Sequence, residues 1–131
     1  MRLSDMSFFN LAHRRMNWLG TRQQVIAQNV ANADTPGFKA RDVAPFADAL
    51  AGSRAGGLKT TNTRHISGSG ATDGIRTLED EGPYESSLDG NSVALEQQAI
   101  KAAEISENYR MASQLYRKGH DLLTLAATGI R

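Results

Sequence analysis

The chain has 131 residues, with 15 basic against 14 acidic side chains and no cysteine. Near-balanced charge argues against a general nucleic-acid binder, which carries a basic excess on one face, and the missing cysteine excludes disulfides, thiolate metal sites and a cysteine nucleophile. No stretch approaches the roughly 20 apolar residues of a membrane-spanning helix, and Arg14 and Arg15 interrupt the N-terminal apolar stretch where a cleavable secretory signal needs an unbroken one.

The apolar residues cluster at the two ends. Residues 7–33 are expected to form one long helix, because Phe9, Ala12, Met16, Leu19, Gln23, Ile26, Val30 and Ala33 recur in alternating steps of three and four. That is a heptad stripe broken only by Gln23. Ser4 or Asp5 is placed to cap its start. Gly20, inside the pattern, costs about 1 kcal/mol relative to Ala and points to a kink or a close helix–helix approach.

Asp34-Thr35-Pro36-Gly37 stops this helix. Pro36 fixes its own φ and disfavours helical geometry at Thr35. Pro36-Gly37 fits the centre of a type II turn, where Gly accepts the positive φ. Asn29 and Asn32 can hydrogen-bond backbone groups that a helix terminus leaves free. Residues 34–50 then read as this turn and a short apolar segment, in which Phe38, Val43, Phe46 and Leu50 fold back on the helix.

Residues 51–91 are expected to be a flexible middle. Gly52, Gly56, Gly57, Gly68, Gly70 and Gly74 lie among many Ser, Thr and Asn residues, a composition that buries too little apolar surface to offset its ordering entropy. At most a weak strand is expected near 58–66, and the acidic stretch 79–89 continues the loop.

Asp89-Gly90-Asn91-Ser92 reads as a turn, with Asn91 or Ser92 capping a second helix over 92–128. Leu95, Ala102, Ile105, Tyr109, Ala112, Tyr116, Leu123, Ala126 and Ile130 form its apolar stripe. Lys101/Glu104 and Glu107/Arg110 are expected as exposed pairs one turn apart, and Gly119 interrupts the pattern. The fold class is therefore mainly α: long N- and C-terminal helices paired as an elongated coiled-coil-like hairpin. The Gly/Ser/Thr-rich irregular middle has room for a short strand pair. Neither helix is expected to be stable alone, since each apolar stripe needs a partner.

Catalytic signals are weak. His13, His65 and His120 fall in three segments, without the spacing of a helical zinc site. Carboxylate pairs concentrate in 79–89, a predicted loop that offers no burial to raise a pKa. The glycines of 68–74 lack the spacing, preceding strand and following helix of a phosphate loop. The reading is non-enzymatic, without cofactor or metal. Its rivals are a soluble helical-hairpin adaptor or chaperone and an enzyme using His65 or His120.

What the helices offer is surface. Phe8, Leu11 and Trp18 lie off the first stripe, and Leu115, Leu122 and Leu125 lie off the second. Two stripes and this surplus exceed what one hairpin buries, which predicts contact with further chains. Arg2, Arg14, Arg15 and Arg22 face Asp5 alone in residues 1–33, while 79–89 hold five acids and no base. Such imbalance reads first as two solvated faces and, more sharply, as complementary patches on neighbouring subunits.

Asn29-Val30-Ala31-Asn32-Ala33-Asp34-Thr35-Pro36-Gly37-Phe38-Lys39-Ala40 resembles the N-terminal signature of the axial proteins of the bacterial flagellum, its rod, hook and hook-associated proteins. Lys39-Ala40-Arg41-Asp42, Leu58-x-x-Thr61-x-x-x-His65-Ile66 and Asp89-Gly90-Asn91-Ser92-Val93 are similar to segments of the proximal rod proteins of the basal body. The resemblance implies a structural subunit that self-assembles with other rod proteins into a helical tube, which transmits motor torque and encloses the export channel. It implies type III export without a cleaved signal and a place on the periplasmic side of the basal body. Copies of itself, rod-adaptor proteins and export-gate proteins would be its neighbours. The residues expected at its assembly interfaces are Phe9, Met16, Leu19, Ile26, Asn29, Asn32, Pro36, Gly37, Phe38, Asn91, Ile105, Tyr109, Tyr116 and Leu123.

Overall fold

A computed structural model describes residues 7–55, 75–80, 82 and 86–129 of the chain. Two long helices dominate it: α1 (Ser7–Ala31) and α3 (Leu95–Thr128) pack against each other. Between them in sequence come strand β1 (Arg41–Val43), helix α2 (Phe46–Ala55) and strand β2 (Thr77–Glu79). The strands form a two-stranded antiparallel sheet with Arg41 opposite Glu79, Asp42 opposite Leu78 and Val43 opposite Thr77. The mainly α hairpin expected from the sequence is present, with a strand pair in its middle.

The core joins both long helices, β1 and α2. Trp18, Leu19, Val25 and Ile26 of α1 meet Val43 of β1, Ala49 of α2 and Ile105 of α3, with Phe46, Ile75 and Ala102 packed on the edge. Burying a side chain such as Leu19 or Ile26 contributes about 1.5–3 kcal/mol. At the open end of the hairpin Phe9 is buried and meets Tyr116 edge-on, with ring centroids 5.1 Å apart.

The buried face of α1 is wider than a heptad seam, because β1 and α2 cover a second side of it. Trp18, expected among the surplus facing other chains, is instead buried in the chain's own core. Its indole N–H donates to the Ala44 carbonyl at 2.8 Å, which satisfies the polar tip that burial would otherwise strand. Val30, on the expected stripe, is 47% exposed, and its neighbour Asn29 is buried in its place.

Several local expectations are corrected. The last turn after Ala31 tightens, with Asn32 N–H reaching both Gln28 and Asn29 carbonyls and Ala33 N–H reaching Val30. Residues 51–55, assigned to the flexible middle, continue α2. The weak strand expected near 58–66 lies outside the described residues, and the strand pair is formed at 41–43 and 77–79. The N-cap of α3 is Ala94, with no side-chain cap. Asn91 and Ser92 are engaged elsewhere. Gly20 has open space around its Cα, so it marks no close approach. Gly119 does: a Cβ there would stand 2.7 Å from the Phe8 ring.

Candidate assembly joint

The end of α1 is fixed by two asparagines. Asn29 is fully buried. Its side-chain NH2 donates to the Arg41 carbonyl at 2.7 Å and to Gln98 Oε1 at 3.0 Å, while its Oδ1 accepts the Arg41 N–H at 3.0 Å. A carboxamide carries one acceptor and two donors. It can therefore satisfy both backbone groups of a strand residue and still reach Gln98, which is buried on α3. One side chain thus ties α1 to β1 and to α3.

Asn91 closes the turn that follows α1, where the chain has left the helix and its carbonyls need partners from elsewhere. Asn91 Nδ2 donates to the carbonyls of Asn32 (2.9 Å), Ala33 (2.8 Å) and Thr35 (2.8 Å). Two hydrogens serve three acceptors, so at least one is shared. Asp89 Oδ1 accepts the Asn91 N–H, and Asn91 Oδ1 accepts the Val93 N–H, which leaves no part of this buried side chain unpartnered. Asn32 Nδ2 donates to the Gln28 carbonyl at 2.8 Å, as expected of a residue at a helix end.

The turn beyond is held against the same segment. Gly37 has φ 71°, the left-handed value its type II position needs, and the Phe38 N–H returns to the Thr35 carbonyl at 3.2 Å. The Gly37 N–H donates to Asp89, the Ser92 N–H to Phe38, and the Ala40 N–H to Ser92 Oγ. Residues 37–40 and 89–92 therefore bind each other through two backbone bonds and the Ser92 hydroxyl.

A charge cluster locks the adjacent layer. Arg22 meets Asp42 through two hydrogen bonds of 2.8 Å, a bidentate geometry. Lys101 reaches both Asp42, at 3.1 Å, and Asp80. Burial by itself would raise the Asp42 carboxyl, but hydrogen bonds from Arg22, Lys101 and the Val43 N–H outweigh it and hold Asp42 below the ordinary carboxylate range. Burial would likewise lower Lys101, but its bonds to Asp80 and Asp42 leave it raised. Lys101 thus makes tertiary pairs rather than the exposed pair with Glu104 read from the sequence. Asp80, read as part of a loop, is bound at the end of β2.

Of the residues singled out in the sequence, Asn29, Asn32, Pro36, Gly37, Phe38 and Asn91 come together at this joint. Leu19, Ile26 and Ile105 lie in the chain's own core. Phe9, Met16, Tyr116 and Leu123 lie toward the far end of the helix pair, and Tyr109 is exposed. His65 lies outside the described residues. Sequence reading missed Gln98 and the group Arg22–Asp42–Lys101–Asp80, and it placed Ser92 as a helix cap where its Oγ instead accepts the Ala40 N–H. The usable signal for Gln98 was a polar residue one turn before the apolar position Ala102. The charge cluster joins residues far apart in sequence and left no local signal. Among the described residues no three His, Asp or Glu side chains gather to hold a metal, and no helix is long and apolar enough to cross a membrane.

Comparison with known proteins converges on the same segment. A family model described as "Flagella basal body rod protein" matches residues 9–39, which span α1 and the turn that Asn91 holds. The chain is 33% identical over 126 residues to flagellar basal body rod protein FlgB of Agrobacterium fabrum, covering 94% of each chain. It is 36% identical over 105 residues to the FlgB protein of Escherichia coli K12, covering 74% of this chain and 75% of that one. Against the FlgB protein of Proteus mirabilis the identity is 34% over 112 residues, with 78% and 80% covered.

Proposed function

The chain belongs to the FlgB family of flagellar basal body rod proteins, and from that premise we propose that the Asn29–Phe38 joint, clamped by Asn91, is an assembly element of the rod. The chain is a structural subunit of the flagellar basal-body rod. The observation that carries the reading of the joint is the coincidence of the family match with the helix end that Asn29 and Asn91 fix. A rod that transmits torque needs a defined angle between its subunit helices and the segments that follow them. Buried carboxamides that answer every nearby backbone group set such an angle, because each alternative leaves a polar group unpaired.

Three further features support a place in a filament. Phe8, Leu11, Leu115 and Leu122 are each about half exposed, apolar surface that neighbouring subunits would cover. Filaments grow through heterologous contacts that do not close. A chain without cysteine, whose helices depend on partners, also suits export in an unfolded state. In this reading the chain leaves without a cleaved signal and sits on the periplasmic side of the basal body, between rod-adaptor and export-gate proteins and further rod proteins. A soluble adaptor is not favoured, since the relatives are rod proteins, and their role is structural rather than catalytic.

The test is electron microscopy of purified basal bodies carrying a tagged chain. Density for the tag at the proximal rod is expected. A tag recovered only in the soluble fraction of motile cells would overturn the reading.

A further inference from the structure

An apolar groove of about 240 Å³ opens between the start of α1 and the middle of α3, floored by Phe8, Leu11, Ala12, Phe46, Ala112 and Leu115. One charge stands in its wall. The Arg15 guanidinium lies 4.8 Å from the Trp18 ring centroid and 4.9 Å from that of Phe46, so the two rings fix its position. Burial and the nearby charge of Arg22 lower its pKa. Arg22, which also approaches Trp18, is neutralised by Asp42. No carboxylate among the described residues lies within ion-pair distance of Arg15. A groove of this kind selects an apolar pair of side chains with a carboxylate beside them, because a partly desolvated cation gains most from an ionic partner.

Among the described residues, the turns of α3 after Gly119 carry that pattern outside the groove. Gly119 faces Phe8 near the start of α1, so the last turns of α3 run beyond the described part of α1. There Leu122 and Leu125 are 55% and 40% exposed. They lie three residues apart on one side of the helix, next to Asp121, which has no ion pair among the described residues. Ile100 stands between Glu96 and Glu104 but offers a single apolar side chain. Knob and groove are different patches, so copies joined through them need not close into a dimer.

We propose that in the rod the groove of one copy receives the Asp121–Leu125 turn of another copy of this chain, with Asp121 paired to Arg15. The proposal rests on the rod reading above and specifies which surfaces of two copies meet.

Charge exchange tests it in cells lacking the native chain, with full-length variants scored by export and by abundance in purified basal bodies. Arg15→Glu and Asp121→Arg should each be exported normally yet reduce incorporation about tenfold, the usual scale for reversing one charge of a desolvated pair. The double variant should restore it. Asp121 is exposed, so its variant leaves the fold intact should Arg15→Glu perturb the Trp18 stack. Because the chain has no cysteine of its own, Leu11→Cys combined with Leu125→Cys should also give disulfide-linked multimers in basal bodies, while neither single variant does. Unaffected single reversals, a double variant that stays defective, or cross-links only to a different protein would each overturn the proposal. Absence of the unmodified chain from basal bodies would instead overturn the rod reading.

Discussion

Asn29 and Arg41 are joined as two strand residues are, although one of them is in a helix. The carboxamide of Asn29 gives one hydrogen bond to the Arg41 carbonyl at 2.7 Å and takes one from its N–H at 3.0 Å. The side chain stands in for a missing strand neighbour and lets β1 lie flush against α1.

Replacing Asn29 with Ala should therefore cost about 3 kcal/mol, since it strands the N–H and carbonyl of Arg41 and the oxygen of buried Gln98. Asn29→Asp should be as harmful, because it sets a carboxylate against two acceptors. Thermal melts followed by circular dichroism check both. A midpoint unchanged in either variant would mean that water replaces the carboxamide at no cost.

The charge cluster makes stability depend on pH in a defined direction. The Asp42 carboxyl is depressed in the folded chain. Its contribution is present above the unfolded carboxylate value of about 3.9 and is lost as pH falls through the lower folded value. Lys101 is raised, so its contribution is present below about 10.4 and is lost as pH rises through the higher folded value. Between those limits Asp42 and Lys101 are both charged. Asp42→Asn should lower stability near neutrality by about 1–2 kcal/mol, discounted from a fully buried pair because the Arg22 and Asp42 side chains keep 21% and 18% exposure. Urea midpoints measured from acid to neutral pH should show a shallower acid limb in this variant, and an identical limb would remove Asp42 as its cause.

The sequence made the two helices legible because their apolar spacing is local, and the turn at Pro36-Gly37 because both residues act through their own backbone. It showed Asn29 and Asn91 as polar residues at a helix end and before a helix. It did not show that Asn91 serves the end of α1 rather than the start of α3, since capping motifs in sequence name neighbours along the chain. Trp18 was misplaced for a related reason. A heptad template assumes one partner, whereas α1 here has α3 on one side and β1 with α2 on another. Lys101 looked like half of a surface pair because Glu104 is near in sequence, while its partners Asp42 and Asp80 lie across the fold.

The Asn91 clamp predicts a localised loss. Asn91→Ala leaves the Ala33 carbonyl without its donor and those of Asn32 and Thr35 with only the N–H groups of Thr35 and Phe38, and the last turn of α1 should open more often. Hydrogen exchange at residues 28–33 should speed up about tenfold, consistent with losing a cap of about 1–2 kcal/mol. Exchange near Leu19 should stay unchanged. Uniform acceleration along α1 would show that the side chain supports the whole hairpin rather than its end.

Gly37 and Gly90 supply the last prediction. Both have positive φ, 71° and 82°, and a Cβ on Gly90 would sit 3.6 Å from the Gly37 Cα. The two turns thus lie back to back, linked by the bond from Gly37 N–H to the Asp89 carbonyl at 2.9 Å. Around Gly37 itself there is room for a side chain, so a substitution there is resisted by backbone conformation and not by crowding. Gly37→Val should cost about 1–3 kcal/mol, because a β-branched residue disfavours this φ. Gly37→Asn should cost much less, since Asn tolerates the left-handed region. Phe38→Ala removes the half-buried apolar anchor that follows the turn. If the joint is packed between subunits, Gly37→Val and Phe38→Ala should be exported normally yet leave cells without hooks, while Gly37→Asn builds them. The measurement sets export of each variant against hooks counted by microscopy. Hooks in all three would make the segment an ordinary exposed turn. Their loss in all three, Gly37→Asn included, would point to a neighbour pressed against Gly37 instead of to its φ.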